Sequence, residues 1–171
     1  MENISIIDFP KTELHLLAKW RSDPKVNIFL RQGNRTLSEI DRWYNDYFSG
    51  EKNKLFSINM DNRPIGYFTI EHIDSINKNC EFGIVIGESP LHKRGIGSTA
   101  ITLMLNQAFA SMEMHRVYGV IQAGNIASIK CFLKVGFIFE GRHRESRLIN
   151  NEFRDILYYS ILKHEWDKNI K

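Results

Sequence analysis

A chain of 171 residues has the length of one ordinary domain, and its 43% hydrophobic and 25% charged residues are in the range of water-soluble globular proteins. A formal charge of +3, spread without a long basic block, speaks against a nucleic-acid partner. No apolar run approaches the length that crosses a membrane, and Met1 to Pro10 carries acids without an apolar core, so it does not read as a signal peptide. The expected location is the cytoplasm.

In chain order, Asn3 to Phe9 is a short apolar run closed by Pro10 and predicts a first strand. Thr12 can cap a helix through Trp20, with Leu14, Leu17 and Ala18 on one stripe. Thr36-Leu37-Ser38-Glu39 is a capping box, followed at helical spacing by Ile40, Trp43, Tyr44, Tyr47 and Phe48 and stopped by Gly50. The period then changes to two. Lys54 to Met60, Pro64 to Ile73 and Glu81 to Ile86 read as three strands joined by short turns, an antiparallel meander. A mostly apolar helix is predicted from Gly95 to Met112, then a strand over Val117 to Ile121 and a short helix over Asn125 to Val135 that ends at Gly136. Two strands close the chain, Phe137 to Gly141 and Phe153 to Leu162, with the charged run Arg142 to Arg147 read as a solvated turn between them. No repeat, low-complexity stretch or linker divides the chain. The expectation is one α+β domain over residues 1–171, a mixed, mostly antiparallel sheet of six to seven strands flanked by helices.

The two cysteines, Cys80 and Cys131, sit in no metal-binding or redox spacing and read as small core hydrophobes. No metal site is expected.

Chemistry concentrates between Glu88 and Ala100. A strand ends, His92, Lys93 and Arg94 follow, and Gly95 and Gly97 flank the start of a helix. The first N–H groups of a helix have no intrahelical partner, the helix dipole adds positive potential there, and glycines let a phosphate approach the backbone. This is an anion site unless it is only a capped helix start with surface basics. Gly95-x-Gly97-x-x-Ala100 matches a degenerate dinucleotide fingerprint, but its context fails. Seven residues separate Gly87 from Gly95, the preceding strands form a meander, and Glu113 precedes the next strand instead of ending it. No GxxxxGK[ST] run is present either.

The segment His92-Lys93-Arg94-Gly95-Ile96-Gly97 resembles the [QR]-x-x-G-x-[GA] signature of the GNAT superfamily of N-acetyltransferases, with His in place of Gln or Arg at its first position. Gly83-Ile84-Val85-Ile86, Asn125-Ile126-Ala127-Ser128 and Lys134-Val135-Gly136-Phe137 extend the resemblance in order. The ending from Phe139-Glu140-Gly141-Arg142 to Tyr159-Ser160 resembles the RimJ/RimL-like subgroup, which contains ribosomal-protein N-terminal, polyamine and nucleotide-amino-sugar acetyltransferases. The likeness covers about residues 56 to 166.

It implies acetyl-CoA as co-substrate. The pyrophosphate would lie on the backbone of His92, Lys93, Arg94, Gly95, Ile96, Gly97 and Ser98. The pantetheine arm would pair with Val85, Ile86 and Gly87, and with Asn125 and Ser128, residues whose plain reading is a helix cap and its first turn. Attack on a thioester needs a neutral amine, so a base must take a proton. Glu81 is the first choice, an acid in an apolar strand with Gly83 and Val85 on its face; Glu71 and His72 are rivals. Where the family commonly has a Tyr to protonate the leaving thiolate, Phe132 stands. A thiolate leaves tolerably without an acid, since a thiol has a reference pKa of about 8.5. Otherwise Phe132 favours a competing reading, a CoA-binding sensor domain without turnover. The acceptor is expected to be a small-molecule amine, first a nucleotide-linked amino sugar, then a polyamine, or a protein N-terminus. A homodimer is compatible with all of these.

Overall fold

In the computed structural model, residues 3–30, 35–149 and 151–169 are described. Seven strands form one sheet in the order β1-β2-β3-β4-β5-β7-β6. β2 (Lys54–Met60), β3 (Arg63–Asp74) and β4 (Asn79–Ile86) are the predicted meander, each antiparallel to the next, and the predicted first strand, β1 (Ile4–Asp8), pairs antiparallel with β2. The helix α4 (Ile96–Asn106) then carries the chain over one face, so β5 (Arg116–Gln122) lies parallel to β4. β7 (Glu152–Leu162) pairs antiparallel with β5, and β6 (Ile138–Ile149) pairs with β7 at the edge.

The two faces carry separate cores. On one, Phe68, Ile70, Cys80, Phe82, Val117 and Ile161 pack against Ile101, Met104, Leu105 and Ala108 of α4 and Phe132 of α5 (Ile126–Val135). Trp166 of α6 (Lys163–Asn169) closes its edge against Phe109. On the other face, α1 (Leu14–Ser22) and α3 (Leu37–Phe48) lay Leu17, Trp20 and Ile40 over Leu55 and Tyr67. Even the apolar positions of α4 that the sequence leaves without a polar face are accounted for, because the helix lies between the sheet and α5.

The capping box of α3 is present in both directions, with Thr36 accepting from the Glu39 N–H and Glu39 reaching back to the Thr36 N–H. Three features of the helices differ from expectation. Pro10 starts a 3-10 turn over Lys11–Glu13, which delays α1 to Leu14 and leaves Thr12 without a capping role. Asp23 and Pro24 start a further short helix, α2 (Pro24–Asn27), where Asp23 accepts from the Lys25 N–H. The helix read as running to Met112 leaves α-geometry at Asn106 and finishes as a π turn over Gln107–Ser111.

The charged run from Arg142 to Arg147 is strand, not turn. It lies inside β6, whose ladder with β7 is bulged between Phe139 and Gly141 and between His143 and Arg147. Its residues face water from an edge strand, so polarity alone does not mark it as a loop. Arg142 pairs with Asp155 and Arg154 with Glu152 across or beside this hairpin. Cys80 is fully buried and burial pushes its thiol up to about 12, whereas Cys131 is partly exposed, so only the first is a core residue in full.

Candidate active site

β4 leaves the sheet at Ile86, and the buried Gly87 passes under Trp20 of α1. A Cβ at Gly87 would lie 2.2 Å from the indole, so only glycine fits. Glu88 holds the same indole from the other side, accepting from Trp20 Nε1 at 2.9 Å and from Lys19 Nζ at 2.9 Å. These bonds keep its carboxyl below the usual carboxylate range. After a 3-10 turn over Ser89–Leu91, Lys93 and Gly95 take left-handed backbone, φ 65° and 84°. Gly95 is the N-cap of α4 and carries no side-chain cap, and the exposed Lys93 and Arg94 precede the first-turn N–H groups. A Cβ at Gly97 would make ordinary contact with Cys131 Sγ on α5, at 3.4 Å. Ser98 opens a cleft between α4 and α5 with Thr99, Thr102 and Lys134. His92 is turned away from this cradle. Its Nε2 lies 2.9 Å from the Ile86 carbonyl oxygen and straps the loop to the strand end.

Next to the loop the sheet opens. β4 and β5 pair only over Asn79–Glu81 and Arg116–Tyr118; beyond Glu81 the two parallel strands part. The Gly87 N–H donates to the Ile65 carbonyl on β3, and alternation along the strand turns the Val85 main chain the same way. Ile84 and the Ile86 N–H therefore present the open edge of β4, the Ile86 carbonyl oxygen being engaged by His92, and the expected pairing of an added arm moves from Val85 and Gly87 to them. Gly119 on β5 forms the opposite wall, where a Cβ would meet the Phe132 ring at 2.6 Å and the Phe82 carbonyl oxygen at 3.1 Å. Phe132 is only 3% exposed and floors the opening among Phe82, Phe137 and Tyr159. At the far end, Gln122 Oε1 is buried with no hydrogen-bond partner. Asn125 Oδ1 caps α5 at the Ser128 N–H, 3.2 Å, which leaves its Nδ2 uncommitted by the cap.

An extended arm bearing amides and a pyrophosphate fits this opening. A strand edge, an orphaned buried acceptor and a helix start without a cap are the groups such a ligand would satisfy.

The face opposite α4 carries the acid–base groups. Register places Tyr67 across from Val85, Thr69 across from Gly83 and Glu71 across from Glu81, so all six share one face. Glu81 is also the last residue paired with β5, opposite Tyr118, and so sits where the sheet begins to part. Its side chain is 22% exposed, with Oε2 3.7 Å from His72 Nε2. Glu71 Oε2 accepts from the Tyr47 hydroxyl at 2.8 Å. Burial pushes the Tyr118 phenol up, and the Glu81 charge adds to it.

Over Tyr67, α1 and α3 make a roof. Trp20 stacks on its ring at 6.3 Å, and the buried Arg21 donates to its hydroxyl at 3.1 Å. Burial pushes the Tyr67 phenol up, against the pull of Arg21. Arg35 lies over the Trp43 ring at 5.3 Å; burial, then repulsion from Arg21, lowers its affinity for its own proton. The aromatic group of α3 is thus only half core, since Tyr47 reaches into the site. Arg21, Tyr118 and Gln122 were not singled out by sequence. Arg21 follows Trp20 in a run whose apolar stripe hides it, and nothing local marks Gln122 as buried.

Among the described residues, no cluster of His, Cys, Asp and Glu could hold a metal ion, and no helix is long and apolar enough to cross a membrane.

The model of the acetyltransferase (GNAT) domain family matches residues 6–138. Among curated proteins, YdaF of Bacillus subtilis (strain 168) is 30% identical over 102 residues, 60% of this chain and 55% of that protein, so the match spans little more than half of its length. The ribosomal-protein-serine acetyltransferase of Escherichia coli (strain K12) is 29% identical over 108 residues, 63% of this chain and 59% of that protein. Among solved structures, spermidine N-acetyltransferase from Vibrio cholerae in complex with CoA and spermine superposes with a TM-score of 0.86 at 20% identity, covering 95% of this chain and 97% of that chain.

Proposed function

The chain belongs to the acetyltransferase (GNAT) family, and from that premise we propose that it moves an acetyl group from acetyl-CoA to a primary amine by direct attack, the amine belonging to an anionic acceptor such as a nucleotide-linked amino sugar. Acetyl-CoA supplies a thioester whose carbonyl carbon a neutral amine can attack. The first-turn amides of α4 hold its pyrophosphate, and the open edge at Ile84 and Ile86 holds its arm. An amide on that edge would stabilise charge developing on the carbonyl oxygen, a preorganised donor held by the strand. Glu81 takes the proton that the ammonium form of the acceptor must lose. Phe132 offers no proton to the departing thiolate, and a thiolate with a reference pKa of about 8.5 leaves without one.

The observation that carries the transferase reading is the parting of β4 and β5 beside an uncapped helix start. The anionic acceptor rests on Arg21 and Arg35. Both cations lie beside Tyr67, across from Val85, with Glu39 also acting on Arg35, and a phosphate or carboxylate placed between them would be attracted to both. A polyamine is the second reading, favoured by Glu71 and Glu81 facing each other across β3 and β4. Relatives named spermidine N(1)-acetyltransferase, such as that of Vibrio cholerae at 24% identity over 143 residues, point the same way.

Thiol release from acetyl-CoA, measured with amino-sugar nucleotides, spermine and peptides with free N-termini, separates the readings. Release with the nucleotide sugars alone, weakened through KM in Arg21→Gln, is the expected result. Release with spermine alone transfers the assignment to polyamines. Tight acetyl-CoA binding without release for any amine would sink the transferase reading in favour of a sensor domain.

A further inference from the structure

We infer that His72 is the proton exit for Glu81, passing to solvent the proton that the acceptor amine gives up. This rests on Glu81 as the base proposed above, and His72 acts only through it. In β3 the partners run from Glu71↔Glu81 to Asp74↔Asn79, three steps on one strand against two on the other. One extra residue is therefore bulged out, and His72 takes left-handed backbone at φ 53°, which a non-glycine residue in a strand rarely adopts. The bulge is held in place from outside. The His72 N–H donates to Asn53 Oδ1 at 3.0 Å, the Ile73 N–H donates to the Lys52 carbonyl at 2.9 Å, and Asn53 Nδ2 donates to the Tyr47 carbonyl at the end of α3 at 3.0 Å.

The consequence is where the ring goes. Strict alternation would send residue 72 to the face opposite Glu71 and Glu81. With the bulge, its Nε2 lies 3.7 Å from Glu81 Oε2, while the imidazole is 60% exposed. A half-buried carboxyl thus has an exposed imidazole, which can carry a proton on either ring nitrogen, between it and solvent. The titratable groups facing Glu81 include His72 and Glu71 on β3 and Tyr118 on β5. Glu71 is occupied by the Tyr47 hydroxyl, and the Tyr118 phenol is pushed up by burial and by Glu81, so neither offers the same route.

The steps balance. The acceptor ammonium gives one proton to the Glu81 carboxylate and becomes a neutral amine. Neutral His72, whose Nε2 stands 3.7 Å from Glu81 Oε2, takes that proton through one bridging water, and the imidazolium releases it to solvent. The amine attacks the thioester, the C–S bond breaks, and the second N–H proton ends on the CoA thiol or in solvent.

The test uses His72→Asn, because Asn tolerates the left-handed backbone and carries no titratable proton, with His72→Gln as a second variant and acetyl-CoA affinity as the check on folding. Steady-state rates against pH, with and without added imidazole, are read for these two and for Glu81→Gln. Expected is a kcat at least tenfold lower near neutral pH in both His72 variants, unchanged acetyl-CoA affinity, and recovery with imidazole. Loss without imidazole recovery and with an unaltered pH profile would mean that His72 only orients Glu81, and would overturn the relay. Wild-type rates in both His72 variants would overturn it as well. Full activity in Glu81→Gln would remove the base itself, a failure distinct from that of the relay.

Discussion

At the scale of single residues, small positional facts decide the chemistry. Cys80 and Cys131 look alike in sequence, yet one lies in the sheet with its thiol pushed up to about 12 by burial, and the other lies partly exposed beside Gly97. A thiol reagent followed by mass spectrometry is expected to label Cys131 in the native protein and to spare Cys80. Saturating acetyl-CoA should slow the Cys131 reaction, because its Sγ sits 3.4 Å from where a Gly97 Cβ would be, inside the proposed cofactor cradle. Comparable labelling of both would contradict the burial of Cys80. Glu81 stands out in the sequence because an acid in an apolar strand is costly without a purpose. Arg21 was not, since its role comes from Tyr67, forty-six positions away in the chain.

At the scale of elements, glycine spacing and pairing set what the strands can hold. Gly119→Ala places a methyl group 2.6 Å from the Phe132 ring and 3.1 Å from the Phe82 carbonyl. It is expected to destabilise by about 1–3 kcal/mol, as overpacked cores do. Chemical denaturation would measure this, and Gly119→Ala with Phe132→Leu should recover part of the loss. A loss unaffected by Phe132→Leu would mean that the strain lies elsewhere. β5 and β6 are also tied across β7, by Arg116 paired with both oxygens of Glu140, which also accepts from the Ser160 hydroxyl. The Arg116 hydrogen bonds hold the Glu140 carboxyl below its ordinary range and raise the affinity of Arg116 for its proton. A carboxyl depressed in the folded state stabilises fully above its unfolded value, about 4.3, and loses that contribution as pH falls through the lower folded value. Melting temperature should therefore decline on acidification below about pH 5 in the wild type. Glu140→Gln should show a shallower decline; an identical slope would mean that this pair does not report on acid stability. Both partners are partly exposed, so the effect is a modest one.

At the scale of the whole molecule, one opening is shared by β4, β5, α4 and α5, so a ligand lying in it ties together both sides of the sheet. Acetyl-CoA at a hundred times its dissociation constant should add about 2.7 kcal/mol to the unfolding free energy. For a chain of this size that is a rise in Tm of roughly 5–10 °C. Gly95→Val, which forces a β-branched residue to φ 84° at the N-cap of α4, should abolish most of that rise. A rise that survives in this variant would place the ligand elsewhere.

What the sequence by itself determined is local. The period-two runs of β2 to β4, the capping box at Thr36, the stop at Gly136 and the glycines before α4 depend on interactions within a few residues, and each is found where the pattern puts it. The face of β4 on which Glu81 lies was equally readable, because alternation needs no partner. Only the tertiary structure decided that β4 and β5 part after Glu81, that Val85 turns its main chain to β3, that Arg21 covers Tyr67, and that an extra residue in β3 swings His72 toward Glu81. These depend on register between segments far apart in the chain, and a period of two names the face of a strand without naming its neighbour.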